Sequence, residues 1–116
     1  MSTSFRDLLA WQEAMNLAVL TYRITSNFPK EETYGLTAQA RKAAISIPSN
    51  IAEGNARNSL REHYYLFGVA AGSLAELETQ LELAARLEYF SVDPAMTRQL
   101  QKVGMLLHAL RRSRRA

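Results

Sequence analysis

Leu8, Trp11, Met15, Ala18 and Tyr22 recur at alternating steps of three and four, the spacing of one face of an α-helix. Leu17, Leu20 and Ile24 form a second apolar row beside them, and Phe28-Pro29 ends the pattern, because a residue before proline is pushed out of helical geometry. The spacing predicts a first helix over about 6–27. A second, over about 34–57, carries Leu36, Ala40, Ala44, Ile47 and Ile51 until Asn55 to Ser59 break the period. Pro48 falls in its middle, where it removes the bond to the Ala44 carbonyl and clashes with it. The helix must kink or restart there, and the stripe runs on past the proline, which favours a kink.

Ser59-Leu60-Arg61-Glu62 reads as a capping box, in which serine and glutamate satisfy each other's exposed amides. A third helix follows over about 59–89, with Tyr64, Phe67, Ala71, Leu74, Leu77, Leu81 and Ala84 on its seam. Asp93-Pro94 supplies an N-cap and a first-turn proline for a fourth helix over about 93–112, striped by Met96, Leu100, Val103, Leu107 and Leu110. Short connections make successive helices antiparallel, so the pattern predicts an all-α, up-and-down four-helix bundle. Residues 1–116 form one domain, with a short basic C-terminal tail at 111–116.

Two stretches do not suit a lone bundle. Neither Ala43 to Ala52 nor His63 to Ala75 contains a charge, so parts of helices two and three lack the solvated face of a surface helix. Both are too short to cross a bilayer, which takes about 20 residues. Their expected cover is another copy of the chain, and a closed ring is the common solution.

Composition narrows the chemistry. With no cysteine the chain has no disulfide, thiolate zinc site, iron–sulfur cluster or cysteine nucleophile. The first residues lack the layout of a signal peptide and no apolar run suits a membrane, so a cytoplasmic protein is expected. The net charge of +3 is unevenly placed: four of the fourteen basic residues are Arg111, Arg112, Arg114 and Arg115. Without them ten bases face eleven acids, and the body is near neutral. Such arginines either complement the helix dipole or grip phosphate.

A polar stripe accompanies the apolar one. Ser46, Asn50, Glu53 and Arg57 recur at helical steps on helix two, and Ser73, Glu76 and Gln80 on helix three. Antiparallel packing would join Asn50 and Glu53 to Ser73 and Glu76, with Glu53 and Arg57 spaced for an ion pair. The stripe reads as a pocket or, in preference, as a structural network that fixes register or subunit pairing. Gly54 and Gly72 point to close backbone approach.

Catalytic signatures are sparse. The residues three before His63 and His108 are Leu60 and Met105, so the Glu-x-x-His pairs of a di-iron bundle are missing, and no cofactor is expected. There is no zinc helix, phosphate loop or nucleophile elbow. Arg57-Asn58, four residues and then His63 resemble the Arg-x4-6-His motif of HEPN ribonucleases, which implies acid/base work by His63 and phosphate binding by Arg57.

The segment Ser46-Ile47-Pro48-Ser49-Asn50-Ile51-Ala52-Glu53-Gly54, with Arg57 after it and Gly72-Ser73-Leu74-Ala75-Glu76-Leu77-Glu78 further on, resembles the four-helix-bundle proteins encoded in 23S rRNA intervening sequences. Phe5 to Trp11 and Phe28-Pro29 are similar to that family's opening and first turn, so the likeness runs from about Phe5 to Leu110. It implies a homopentameric barrel of four-helix bundles. The related accessory variability determinant of diversity-generating retroelements is a basic pentamer that binds nucleic acid and a reverse transcriptase, which implies nucleic-acid binding here by analogy, though the near-neutral body departs from such basic relatives.

Three functions follow as expectations. The first is a non-enzymatic homo-oligomer, pentameric by resemblance, that binds RNA or a ribonucleoprotein partner through arginines 111, 112, 114 and 115, pooling about twenty charges in a ring. The second is a ribonuclease using Arg57 and His63. The third is a scaffold that binds protein alone.

Overall fold

A computed structural model describes residues 4–115. Phe5–Asp7 winds into a short 3-10 turn, capped by Ser4, whose Oγ accepts from the Arg6 amide at 3.2 Å. Leu8 is extended, so helix α1 (Leu9–Thr25) begins later than the apolar period alone predicts. A second 3-10 turn, Lys30–Glu32, leads to α2 (Leu36–Ala56), followed by α3 (Leu60–Arg86) and α4 (Pro94–Ser113). Among the described residues no strand forms, and the chain is a four-helix, all-α bundle. Neighbours close a square: α1 beside α2, α2 beside α3, α3 beside α4 and α4 beside α1, with no close approach across the diagonals among the described residues.

The helix ends follow local chemistry. Asp93 caps α4 by accepting from the Met96 amide at 2.9 Å, with Pro94 in the first turn. At α3, Ser59 Oγ accepts from the Glu62 amide at 3.1 Å and donates to Glu62 Oε2 at 3.2 Å. The box therefore closes through the serine hydroxyl instead of its backbone amide. Glu32 stands in as the cap of α2, its Oε1 accepting from the Leu36 amide at 2.9 Å. α3 stops before the predicted position 89 because Glu88 turns left-handed, with φ 63°. There the Tyr89 amide bonds the Ala84 carbonyl and the Glu88 amide bonds the Ala85 carbonyl, the paired closure that usually recruits glycine.

The core holds Leu17, Ile47, Ile51, Phe67, Leu77 and Leu107, all fully buried. α2 packs most extensively on α3. Small residues allow it: Ala40, Ala43 and Ala44 are buried along α2, and a Cβ on Gly54 would sit 2.8 Å from the Phe67 ring and 3.1 Å from Leu66 Cβ. α2 runs unbroken through Pro48, whose ring is buried, so the helix does not restart there.

Helix α1 departs from expectation. Its buried residues are Ala10, Ala14, Leu17, Thr21 and Thr25, one residue earlier than the row Trp11, Met15, Ala18 and Tyr22. That is a rotation of about 100°. The core accepts the two threonines because each hydroxyl bonds a carbonyl one turn back, Thr21 to Leu17 and Thr25 to Thr21, both at 2.8 Å. Thr25 Oγ1 also accepts from Arg41 Nε at 2.8 Å. With these two polar side chains inside, Met15 and Tyr22 are exposed, while Trp11 and Ala18 stay partly buried against the core.

Candidate nucleic-acid interface

The C-terminus of α4 lies against the N-terminal half of α3, so the last arginines meet a set of aromatic residues. The Arg111 guanidinium covers the Tyr64 ring at 4.4 Å from its centroid. It rests on Gly68, where a Cβ would meet Arg111 Nη2 at 2.9 Å. Arg111 Nε is buried and has no acceptor among the described residues, an arrangement that costs about 1–3 kcal/mol. Arg114 donates from Nε to His63 Nδ1 at 3.1 Å, and its guanidinium lies 6.0 Å from the Phe67 centroid. Arg112 and Arg115 are exposed. The expected tail is therefore partly helix: Arg111 and Arg112 belong to α4, and Arg111 and Arg114 fold back on α3.

Arg61 enters from the first turn of α3. With Tyr64, Tyr65, Gly68, Val69 and Arg111 it lines an open groove of about 530 Å³. The ion pairs among the described residues are Arg57–Glu53, Arg86–Glu82 and Lys102–Glu13. Arg61, Arg111, Arg112, Arg114 and Arg115 consequently form no ion pair among the described residues. These five cations lie toward the end of the bundle where α3 begins and α4 ends, and none has an acidic partner among the described residues. The groove also supplies what His63 to Ala75 lacks in sequence, since Arg61 and Arg111 flank that uncharged stretch.

The polar stripe is only partly connected. Ser46 Oγ and Ser73 Oγ share a hydrogen bond of 2.8 Å between α2 and α3. Asn50 Nδ2 donates to the Ser46 carbonyl at 2.8 Å and to Ser46 Oγ at 2.9 Å. Glu53 and Arg57 form a separate, half-exposed pair at 2.7 Å. Glu76 is exposed and joins neither set, while Gln80 Oε1 is buried without a donor among the described residues. Gly72 has nothing within 4 Å of where its Cβ would stand, so close approach within the chain explains Gly54 and not Gly72.

The side chains of Arg57 and His63 take different partners. The Arg57 guanidinium is bonded to Glu53, whereas His63 Nε2 meets the Arg57 backbone carbonyl at 2.6 Å. Because Nδ1 accepts from Arg114, the neutral ring carries its hydrogen on Nε2 and donates it to that carbonyl. Both ring nitrogens are thus hydrogen-bonded. Among the described residues no group of three His, Cys, Asp or Glu could hold a metal, and no helix is long and apolar enough to cross a membrane.

The displaced row of α1 creates a second surface. Trp11, Met15 and Ala18 join Ile45, Pro48, Ser49 and Ala52 of α2 in an outer groove of about 350 Å³. Met15 is 40% and Ile45 46% exposed, and Val19 and Tyr22 continue the apolar surface along α1. The uncharged stretch of α2 therefore faces an apolar groove, unlike that of α3 with its arginine rim.

Residue patterns alone did not single out Gly68, Tyr65 or Arg61. Tyr64 appeared only as a core-stripe residue, and it is half-buried beneath Arg111. The available signal was Tyr64 and Gly68 one turn apart, an aromatic face beside a missing side chain. Its partner lies 47 positions downstream of Tyr64, beyond the reach of local spacing.

A family model described as 23S rRNA-intervening sequence protein matches residues 6–109. No curated protein matches the chain. The matched region contains all four helices up to the last turn of α4 and ends before Arg111.

Proposed function

The chain belongs to the 23S rRNA-intervening sequence protein family, and from that premise we propose a non-enzymatic homo-oligomer that binds RNA through its arginine end. The observation that carries this reading is that Arg61 and Arg111 share a groove, with Arg112, Arg114 and Arg115 at the same end of the bundle, and that none of the five forms an ion pair among the described residues. Phosphate is the anion that several convergent arginines hold best, and releasing counterions from RNA supplies the driving force. The arginines at 111–115 lie past the matched region, so this property belongs to the chain more than to its family's common part.

Self-association is the second half of the proposal. It rests on the groove of Trp11, Met15, Ala18 and Ile45, an apolar surface that water would otherwise cover. The proposed cover is another copy of the chain, in a ring of five as the family resemblance implies, bringing five arginine ends together. The residues 111–115 would reach RNA directly or as part of a ribonucleoprotein; the cytoplasm is the proposed compartment.

Two measurements test the proposal. RNA affinity at low salt is compared for the intact chain and a chain ending at Leu110; the truncated chain should bind at least about tenfold more weakly. Equal affinity would remove the arginines from the account. Light scattering should give an oligomer for the intact chain and a smaller species for Ile45→Glu, and an intact monomer would refute the assembly.

A further inference from the structure

We infer that the groove between Arg61 and Arg111 takes the unpaired bases of single-stranded RNA, with Tyr65 as the stacking surface. The inference rests on the RNA-binding reading above and adds the form of the ligand. Tyr65 is 68% exposed and has no hydrogen bond or ring contact among the described residues. A large aromatic ring standing free in water between two cations is the platform on which a base can stack. Beside it the Arg111 guanidinium lies over Tyr64, 4.4 Å from the ring centroid, and the missing side chain of Gly68 leaves room for it against the helix.

The remaining groups support the same ligand. Arg61 stands one turn before Tyr65 on α3, so a phosphate can be held while its base lies on the ring. Arg111 Nε lacks an acceptor among the described residues, and a small rotation of the guanidinium toward a phosphate oxygen would satisfy it. A duplex offers phosphates but keeps its bases stacked on one another, so it can use the arginines and not Tyr65. The groove is open and about 530 Å³ in volume, room for a nucleotide unit. Binding should therefore favour unpaired RNA with little sequence preference.

The test compares a fluorescent 12-nucleotide oligouridine with a 12-base-pair RNA duplex on the full chain, on Tyr65→Ala and on Tyr65→Phe. Tyr65→Ala should weaken oligouridine binding roughly tenfold and leave duplex binding unchanged, while Tyr65→Phe stays within about twofold of the parent. In the parent chain, photocrosslinking of 5-iodouridine in the same oligomer should label the tryptic segment Glu62 to Arg86 at Tyr64 or Tyr65. That readout does not depend on the variants folding. Equal losses for both RNAs, no loss for either, or a crosslink elsewhere would overturn the stacking inference while leaving salt-dependent RNA binding in place. A change of molecular mass in Tyr65→Ala would also overturn it, by showing that another copy covers the ring. If the parent binds neither RNA at low salt, the underlying RNA reading fails as well.

Discussion

The two ends of this bundle are finished in opposite ways. At the end formed by the α1–α2 and α3–α4 connections, polar groups find partners within the chain. Glu32 accepts from the Leu36 amide and from the Tyr89 hydroxyl, both at 2.9 Å, and Phe28 packs on Tyr89 and Phe90 with centroids 5.6 and 5.9 Å away. At the other end, Arg111 is held by an aromatic face and a glycine, and its Nε has no acceptor among the described residues. Among the described residues no ion pair neutralises those arginines, and Glu53 of α2 is bonded to Arg57. A closed end stabilises the fold; an end with unmet cations suits the proposed binding of an anion.

The contrast predicts which substitutions alter stability and which alter binding. Phe28→Ala empties a mostly buried site at the closed end and should cost about 3 kcal/mol in chemical denaturation while leaving RNA affinity unchanged. Gly54→Ala and Gly68→Ala then separate packing from binding at the arginine end. At Gly54 the new methyl meets a buried ring and a Cβ, and the loss should be about 2 kcal/mol. At Gly68 it meets only the flexible tip of Arg111, so the helix gains about 1 kcal/mol from the better helix former. RNA affinity should nonetheless fall as the guanidinium leaves Tyr64. If Gly68→Ala destabilises the chain, Arg111 is a packing residue and the contrast between the ends disappears.

Smaller effects test the closed end alone. Glu88→Gly relieves a left-handed backbone and should stabilise by about 1 kcal/mol. The Leu36 amide, and after it the Tyr89 hydroxyl, hold the Glu32 carboxyl below its ordinary value. The stability this adds is complete above the ordinary carboxylate range and is lost as pH falls through the lowered value. The bond to Glu32, more than burial, raises the Tyr89 hydroxyl. Its contribution is complete below about pH 10 and is lost as pH rises through the raised value. Tyr89→Phe should remove that alkaline loss and shift part of the acid loss upward, read from melting temperature against pH.

Much of the fold was legible because it is local. The stripes of α2, α3 and α4, the cap at Asp93 and the serine amide bond at Ser59 depend on residues within a few positions of one another. α1 misled because its larger apolar residues lie on the outer row, and nothing in spacing shows that Thr21 and Thr25 bond their own helix and enter the core. α3 ended early for a related reason: Glu88 adopts a conformation that sequence reserves for glycine. The arginine cluster was legible as charge, but its seat on Tyr64 and Gly68 is a contact between α3 and α4 that only tertiary structure creates. The serine bridge Ser46–Ser73 was within reach because antiparallel neighbours fix which residues oppose each other, whereas the outward turn of Glu76 was not.

The most direct test of the unmet cations is the salt dependence of oligouridine binding, measured for the parent and for a chain with Arg61, Arg111, Arg112, Arg114 and Arg115 changed to Gln. For the parent, the logarithm of the association constant should fall against the logarithm of salt with a slope of about −3.5 per subunit engaged, about 0.7 for each of five phosphates. The variant should bind weakly with a slope near zero. The same slope and affinity in both chains would contradict the account.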